Sequence, residues 1–239
     1  MKLLRTLIFL STTLFIYNCK EAPKKEKEVP PKKIIEQKVD SVEKIIQKVE
    51  EPVIKAWDSL NHKNVTAFLT EYGKQNKETQ VLIKTKFGNI KLRLFEETPL
   101  HRASFIFLTK IGYFNTTVFH RIAKEMAIQG GESDGQESTD IKNKYKNYRI
   151  PNEILNHRKH VYGSLALARQ LDYNPYKKSN PFNFYIISDK RGAPHLDGDY
   201  TVFGEVISGF STIRKISKVK TGTSEWPIID IPMKIEVVK

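Results

Sequence analysis

The most informative stretch of the chain is Phe119-His120-Arg121-Ile122, followed after a short gap by Met126-Ala127-Ile128-Gln129-Gly130-Gly131. Mostly apolar runs of this length, separated by a short polar connection, predict two short β-strands. Arg121 stands out because it interrupts an apolar run. The alternation of the strand alone favours a surface arginine on an exposed face, so its meaning depends on the rest of the chain.

Further short strands and two helices surround this stretch. A hairpin is predicted at Val81–Thr85 and Ile90–Leu94, with a turn at Gly88. Thr98-Pro99 predicts a helix start with threonine as N-cap, and a second helix fits Ser211–Val219. Roughly eight strands and two helices in about 160 residues predict a mainly β fold, a closed barrel flanked by two helices. The remaining strands are predicted at 117–122, 126–129, 163–168, 182–187, 201–206 and 234–238.

Several segments, taken in order, resemble the cyclophilin family of peptidyl-prolyl isomerases. The stretch from Phe119 to Gly131 carries the strongest likeness, and the resemblance covers about residues 80–239. Because the segments occur in the family's order, it implies a cyclophilin-like eight-stranded β-barrel. The other matching segments are Phe87-Gly88-Asn89-Ile90, Thr98-Pro99 with Phe105, Gly112-Tyr113-Phe114, Gly163–Arg169, Asn183-Phe184-Tyr185-Ile186, Leu196-Asp197-Gly198 and Val202–Val206.

The resemblance implies an enzyme that interconverts the cis and trans forms of the amide bond before proline. That rotation crosses a barrier of roughly 20 kcal/mol without a bond to the substrate, so no nucleophile, cofactor or metal is expected. In the twisted amide the proline nitrogen regains a lone pair, and a fixed cation beside it would stabilise the transition state more than the ground state. Arg121 is the predicted catalytic residue, because its guanidinium stays charged and presents several donors in one plane.

The same resemblance implies a substrate-binding slot. Its apolar members would receive the proline ring, and its polar members would hold the main chain of the substrate. The predicted substrate-binding residues are Phe119, Met126, Ala127, Gln129, Ala168 through its backbone, Asn183, Tyr185, Leu196 and Tyr200.

Several of these positions depart from the commoner family pattern. The slot is therefore expected to present less aromatic surface. The resemblance also implies that a protein with His195 in place of tryptophan binds cyclosporin-type inhibitors weakly. The departures are Met126 and Ala127 for a Phe–Met pair, Asn183 for Gln, Tyr185 for Phe, His195 for Trp and Tyr200 for His.

The N-terminus resembles a bacterial lipoprotein signal. Lys2 and Arg5 precede Thr6–Tyr17, a mostly apolar run of 12 residues, and Cys19 follows. Such a run is too short to span a bilayer comfortably. Because the single cysteine stands at this one position, we expect residues 1–18 to be a removed signal peptide and Cys19 to be lipidated. The protein would then be anchored in the cell envelope, facing the periplasm or the cell exterior. A plain signal peptide with an incidental cysteine and an uncleaved anchor are the alternatives.

The composition changes between the signal and the barrel. Residues 19–33 combine proline, lysine and glutamate, and predict a solvated tether. Residues 34–79 predict a helical extension, because apolar residues recur at spacings of three and four from Ile35 to Val53. Weak self-association through residues 35–53 is an alternative to a helix docked on its own domain. The isomerase domain is predicted at 80–239.

The net charge of +13 is spread along the chain. Its densest cluster, from Lys142 to Arg149, lies in a polar stretch that is typical of a solvated loop. Charge alone reports solubility and weak nonspecific attraction, and secretion would remove nucleic acid as a partner. His157 and His160 have a spacing that a metal could use, but no third ligand is evident nearby, so they too are predicted to lie in a solvated loop.

The predicted function is a lipid-anchored, extracytoplasmic prolyl isomerase that assists the folding of unfolded or flexible proline-containing polypeptides. One rival is a non-catalytic module of the same fold that grips proline-containing segments without turnover. The other is a structural envelope lipoprotein assembled through residues 35–53.

Overall fold

A computed structural model describes residues 60–145, 148–170 and 173–238. The described part is mainly β, with eight strands in one sheet and four α-helices. Every strand agrees with a predicted one to within a few residues. The strands are β1 (Gln80–Thr85), β2 (Gly88–Leu94), β3 (Val118–Ala123), β4 (Ala127–Glu132), β5 (Ser164–Leu167), β6 (Phe184–Ile187), β7 (Val202–Ser208) and β8 (Lys234–Val238).

The eight strands form one curled antiparallel sheet in the order β3-β4-β6-β5-β7-β2-β1-β8. The predicted hairpin is β1–β2, in which the fully buried Ile83 and Ile90 lie opposite each other. Among the described residues, an isolated bridge between Val118 and Pro232 joins β3, at one end of the sheet, to the segment that leads into β8 at the other end. The predicted eight-stranded, mainly β fold is confirmed, although the barrel is less fully closed than expected.

The glycine pair of the 119–131 stretch allows β4 to lie close to its neighbours. Gly131 has a φ of +99°, and a Cβ there would stand 2.0 Å from the carbonyl oxygen of Phe182. A Cβ on Gly130 would stand 2.9 Å from the ring of Phe184. Both positions therefore require glycine for the backbone to pass.

Both predicted helices cover the sheet. They are α2 (Pro99–Lys110) and α4 (Phe210–Ile216). From α2, the ring of Phe105 lies 5.6 Å from that of Phe184 in β6 and 5.5 Å from that of Phe203 in β7. All three rings are buried, so α2 and the sheet share one core.

The N-terminus of α2 is capped by a residue that is distant in the sequence. Thr98 is the N-cap residue, as predicted, and Pro99 follows it, but the Thr98 hydroxyl donates to the carbonyl oxygen of Phe95 and leaves the place of the capping acceptor open. Glu153 takes that place: its Oε1 accepts from the Leu100 amide at 3.0 Å and its Oε2 from the His101 amide at 2.9 Å. A carboxylate satisfies two free amides at once and suits the positive end of the helix dipole.

The first described helix, α1 (Val65–Gln75), packs against α2. The ring of Phe68 meets that of Phe107 edge-on at 5.2 Å. Arg102 of α2 is buried, and its Nη1 donates to the carbonyl oxygen of Asn76 at 2.8 Å. The end of the predicted extension is thus a helix docked on the neighbouring domain.

The remaining described helix, α3 (Gln136–Tyr145), lies where the sequence predicts a solvated loop from Lys142 onward. Tyr145 packs edge-on against Phe107, with ring centroids 5.6 Å apart. Tyr148 is fully buried, and its hydroxyl is hydrogen-bonded to Ser104. The loop prediction is wrong here because two buried tyrosines, spaced among the lysines, anchor the segment to α2.

The predictions for the N-terminal region lie outside the described residues. They concern the signal at 1–18, Cys19, the tether at 19–33 and the helical stripe at 35–53, and they stay predictions, as does the division of the chain at residues 34–79 and 80–239. In the ranges that the structure describes, no helix is long and apolar enough to cross a membrane.

Candidate active site

A row of side chains crosses four neighbouring strands on the face of the sheet opposite the main core. Arg121 of β3 lies opposite Gln129 of β4, which in turn lies opposite Tyr185 of β6. Ala166 of β5 continues the row beside Tyr185. Because directly opposed residues of a sheet point to the same face, the strand register brings a cation, an amide and an aromatic ring together.

This row forms one side of a slot in the protein surface. The floor of the slot is apolar, since Ala127 and Tyr185 are buried in a small second cluster with Ala166 and Val202. The sequence predicts every lining residue as a site residue except Arg169. The slot is lined by Arg121, Met126, Ala127, Gln129, Ala168, Arg169, Tyr185, Leu196 and Tyr200.

The guanidinium of Arg121 is held at the edge of the slot by two partners. Its Nε donates to Oε2 of Glu225 at 2.8 Å, and its Nη1 donates to Oε1 of Gln129 at 3.4 Å. A guanidinium carries five N–H bonds, so three remain unengaged by the described residues. The side chain is 40% exposed, which leaves these donors accessible to a ligand in the slot.

Tyr185 forms the floor, and its hydroxyl is tied to a buried pair. The hydroxyl lies 3.0 Å from Nε2 of His160, whose Nδ1 lies 2.8 Å from Oδ1 of Asp197. Because an ionised carboxylate only accepts, Nδ1 carries the proton and the tyrosine hydroxyl donates to Nε2. Burial lowers the pKa of His160 and raises the pKa of Tyr185, so both are neutral near pH 7. Tyr185 therefore presents its ring, and not its hydroxyl, to the slot.

The two histidines of the predicted loop have different surroundings. His157 is exposed, as predicted, and its Nε2 lies 2.9 Å from Oε1 of Glu97. His160 is only 2% exposed, so the prediction of a solvated position is wrong for it. Its burial comes from Asp197 and Tyr185, neither of which is near it in the sequence. Within the described ranges, no group of three or more histidine, cysteine or acidic residues could hold a metal ion.

The opposite wall of the slot combines aromatic and cationic side chains. Tyr200 packs edge-on against Tyr185, with ring centroids 6.0 Å apart. The guanidinium of Arg169 lies 4.9 Å from the centre of the Tyr200 ring. Arg169 was within reach of sequence reasoning, because it directly follows Ala168, but the resemblance assigns it no role.

Phe119 is predicted to bind substrate, but it does not line the slot. It is fully buried in the main core, although it stands only two positions from Arg121. A register shift explains this: Phe119 pairs with Gly130 and Arg121 with Gln129, so two steps along β3 match one along β4. The extra residue turns the two side chains to opposite faces of the sheet.

The predicted main-chain contacts of the slot lie at Ala168 and Asn183. The amide of Ala168 donates to the carbonyl oxygen of Asn183 at 2.8 Å, and the carbonyl oxygen of Ala168 accepts from the Asn180 amide at 2.8 Å. One lone pair of the Ala168 carbonyl is thus left for a substrate. The side chain of Asn183 is half-buried and is not part of the slot lining.

His120, the neighbour of Arg121, gives the stability of the fold a testable pH dependence. Burial lowers its pKa from 6.5 to about 4. Between these values the unfolded chain binds a proton that the folded protein does not, so the free energy of unfolding falls as the pH falls through this window, by about 3 kcal/mol in total. Urea unfolding at a series of pH values should show this loss, and a smaller one in His120→Gln. An identical pH dependence in the variant would contradict the assignment.

Comparisons with known proteins agree with this geometry. Residues 80–238 match the family model described as cyclophilin type peptidyl-prolyl cis-trans isomerase/CLD. The chain is 31% identical over 180 residues to peptidyl-prolyl cis-trans isomerase A of Dickeya dadantii, a match that covers 74% of this chain and 90% of that protein. It is 35% identical over 165 residues to peptidyl-prolyl cis-trans isomerase-like 2 of Rhizopus delemar, covering 68% of this chain and only 29% of that relative's length.

A solved structure shares the fold. It is a Cryptosporidium parvum cyclophilin type peptidyl-prolyl cis-trans isomerase, crystallised in the presence of the dipeptide Ala-Pro. It matches with a TM-score of 0.58 at 28% identity, over 67% of this chain and 99% of that one. Since the family model covers more than half of the chain, from the first strand of the sheet to the last, this protein belongs to the cyclophilin-type peptidyl-prolyl cis-trans isomerases.

Proposed function

We propose that this isomerase twists the X–Pro amide of flexible polypeptides beside the guanidinium of Arg121, and that it does so outside the cytoplasm. The observation that carries the mechanism is the row of Arg121, Gln129 and Tyr185, which sets a held cation next to an apolar floor.

The catalytic step follows from the electronic change in the amide. Rotation removes the resonance that makes the bond planar, which is the source of its barrier of roughly 20 kcal/mol. In the twisted state the proline nitrogen has a lone pair that can accept a hydrogen bond. The unengaged N–H bonds of Arg121 donate to that lone pair, which the planar ground state does not offer. The contact therefore stabilises the transition state selectively.

The slot selects its substrate by shape and polarity. The proline ring lies on the apolar surface of Met126, Ala127, Tyr185 and Leu196. The Gln129 amide and the remaining lone pair of the Ala168 carbonyl hold the neighbouring peptide groups. Because the slot opens on the outer face of a sheet, a proline can enter only from an extended, accessible segment. This favours unfolded or flexible chains over folded proteins.

A refolding assay tests this role. We expect catalytic amounts of the protein to shorten the slow phase of a substrate protein whose refolding waits for an X–Pro bond, a phase of tens of seconds without catalyst. If the slow phase is unchanged while a short Ala-Pro peptide is isomerised, the proposed folding role is wrong and the activity stands.

The location outside the cytoplasm rests on the sequence. Lys2 and Arg5, the apolar run and Cys19 support export followed by lipid attachment. Mass spectrometry of the protein from its native membranes should find residues 1–18 missing and a lipid on Cys19, and Cys19→Ser should move the protein to the soluble fraction. An unmodified Cys19 in an intact N-terminus would exclude the anchor.

Self-association through residues 35–53 is the remaining element of the proposal. The spacing of its apolar residues supports a helix with one apolar stripe. Sedimentation of the chain with and without residues 35–53 tests this self-association. A monomer in both cases would refute it.

A further inference from the structure

The segment from 220 to 232, here called the strap, runs along the outer edge of β3. The Ile122 amide donates to the carbonyl oxygen of Glu225 at 2.9 Å, and the Phe119 amide donates to that of Ile231 at 3.0 Å. These two bonds fix the strap on both sides of Arg121. The strap thus covers the free edge of the strand that carries the catalytic arginine.

Glu225 lies at the tip of a tight turn in the strap. Its amide donates to the carbonyl oxygen of Gly222 at 3.2 Å, and the Gly222 amide donates to that of Trp226 at 2.9 Å. The φ of Glu225 is +62°, a left-handed conformation that a residue with a Cβ adopts only at a cost in free energy. The surrounding hydrogen bonds hold a glutamate in a conformation that glycine would adopt more readily.

The side chain of Glu225 is directed at Arg121. Its Oε2 accepts the Nε–H bond at 2.8 Å, while Gln129 accepts from Nη1 at 3.4 Å. Both members of the ion pair are about two fifths exposed, at 40% and 42%. A pair so open to solvent contributes little to folding stability. Its consequence is orientation, because two acceptors on different N–H bonds fix the plane of the guanidinium.

We infer that Glu225 is a positioning residue for Arg121: it holds the guanidinium plane so that the unengaged N–H bonds face the slot. This rests on the proposed role of Arg121 as the catalytic cation. A carboxylate beside a catalytic cation also weakens the field of that cation at the substrate. The benefit must therefore come from orientation, and a neutral acceptor of the same shape should supply most of it.

The test compares kcat/KM for an Ala-Pro peptide among variants of the full chain. We expect Glu225→Ala to lower kcat/KM about tenfold through kcat, and Glu225→Gln to stay within about threefold of the wild type. Glu125→Ala is the matched control and should change nothing. Glu125 is also a carboxylate at positive φ, +55°, and it lies on the β3–β4 turn, but it pairs with Arg191 at 3.3 Å.

A double-mutant cycle and a spectroscopic signal separate positioning from general damage. Adding Glu225→Ala to Arg121→Ala should cost no further activity. The Nε–H resonance of Arg121, assigned by its loss in Arg121→Ala, should be protected from solvent exchange in the wild type and in Glu225→Gln but not in Glu225→Ala.

Several results would overturn the inference. The first is wild-type kcat/KM in Glu225→Ala. The second is a loss of kcat/KM of the same size when Glu225→Ala is added to Arg121→Ala. The third is a higher kcat/KM in both Glu225 variants. Full activity of Arg121→Ala would refute the proposed mechanism and with it any positioning role, whereas the Nε–H signal would still show whether the ion pair exists. A failure of the mechanism is thus distinguishable from a failure of the positioning role.

Discussion

Replacing Arg121 with alanine is expected to lower kcat/KM for an Ala-Pro peptide by about two to three orders of magnitude, as the loss of one fixed transition-state donor does in other enzymes. The alanine variant keeps the apolar floor of the slot, so the peptide should still bind. It loses the cation that contacts both Gln129 and the strap. The expected loss therefore lies in kcat, with KM changed by only a few fold. A protease-coupled assay over a range of enzyme and peptide concentrations measures both.

Two further variants define what Arg121 contributes. Arg121→Lys keeps the charge but loses the planar set of donors, so it should recover only part of the activity. Arg214→Ala removes an exposed arginine of α4 and should leave the activity unchanged. If Arg121→Ala retains the wild-type kcat, the proposed mechanism is wrong.

Replacing Glu153 with alanine is expected to lower the free energy of unfolding by about 3–5 kcal/mol, the usual cost of removing one partner from a buried polar pair. The carboxylate accepts from the amides of Leu100 and His101, and Nδ1 of His101 lies 2.6 Å from Oε2. His101 is fully buried. The variant would leave the first turn of α2 and a buried imidazole without their acceptor. Urea unfolding measures the loss, and the midpoint temperature should fall by about 10 °C.

Glu97→Ala is the control for this stability measurement. Glu97 also contacts a histidine and an arginine, His157 and Arg158, but its side chain is 44% exposed. Exposed pairs contribute about 0–1 kcal/mol, so this variant should unfold at nearly the wild-type urea concentration. Equal losses in the Glu97 and Glu153 variants would show that the lower exposure of Glu153, at 13%, has no special role.

The fold was largely predictable from the sequence because its signals are local. Alternation of apolar residues located the strands of the sheet, and Pro99 marked the start of α2. The glycine pair at 130 and 131 was recognisable as part of a family pattern, and the structure shows its physical reason in the close approach of Phe182 and Phe184. The sequence therefore predicts the site correctly where residues belong to one motif and lie on one face of the sheet.

Apart from Arg169, which directly follows Ala168, the missed features depend on contacts between distant segments. The bulge between Phe119 and Arg121 has no signature in the strand itself, because it is set by the pairing with β4. Glu153 caps a helix that begins some 50 residues earlier, and Glu225 meets Arg121 across 104 positions. Hydrophobic periodicity and secondary-structure propensity depend on residues that are close along the chain. They therefore cannot identify partners that only the folded sheet brings together.

The most direct test of the central claim is two-dimensional exchange NMR of an Ala-Pro peptide with a few per cent of the full chain. The free peptide interconverts over tens of seconds and should give no cross peaks between its cis and trans signals at mixing times below one second. With the wild-type protein, cross peaks should appear at these mixing times, and with Arg121→Ala they should not. Peptide signals that shift or broaden on binding, without cross peaks, would show a binding module that does not turn over its ligand and would contradict the account.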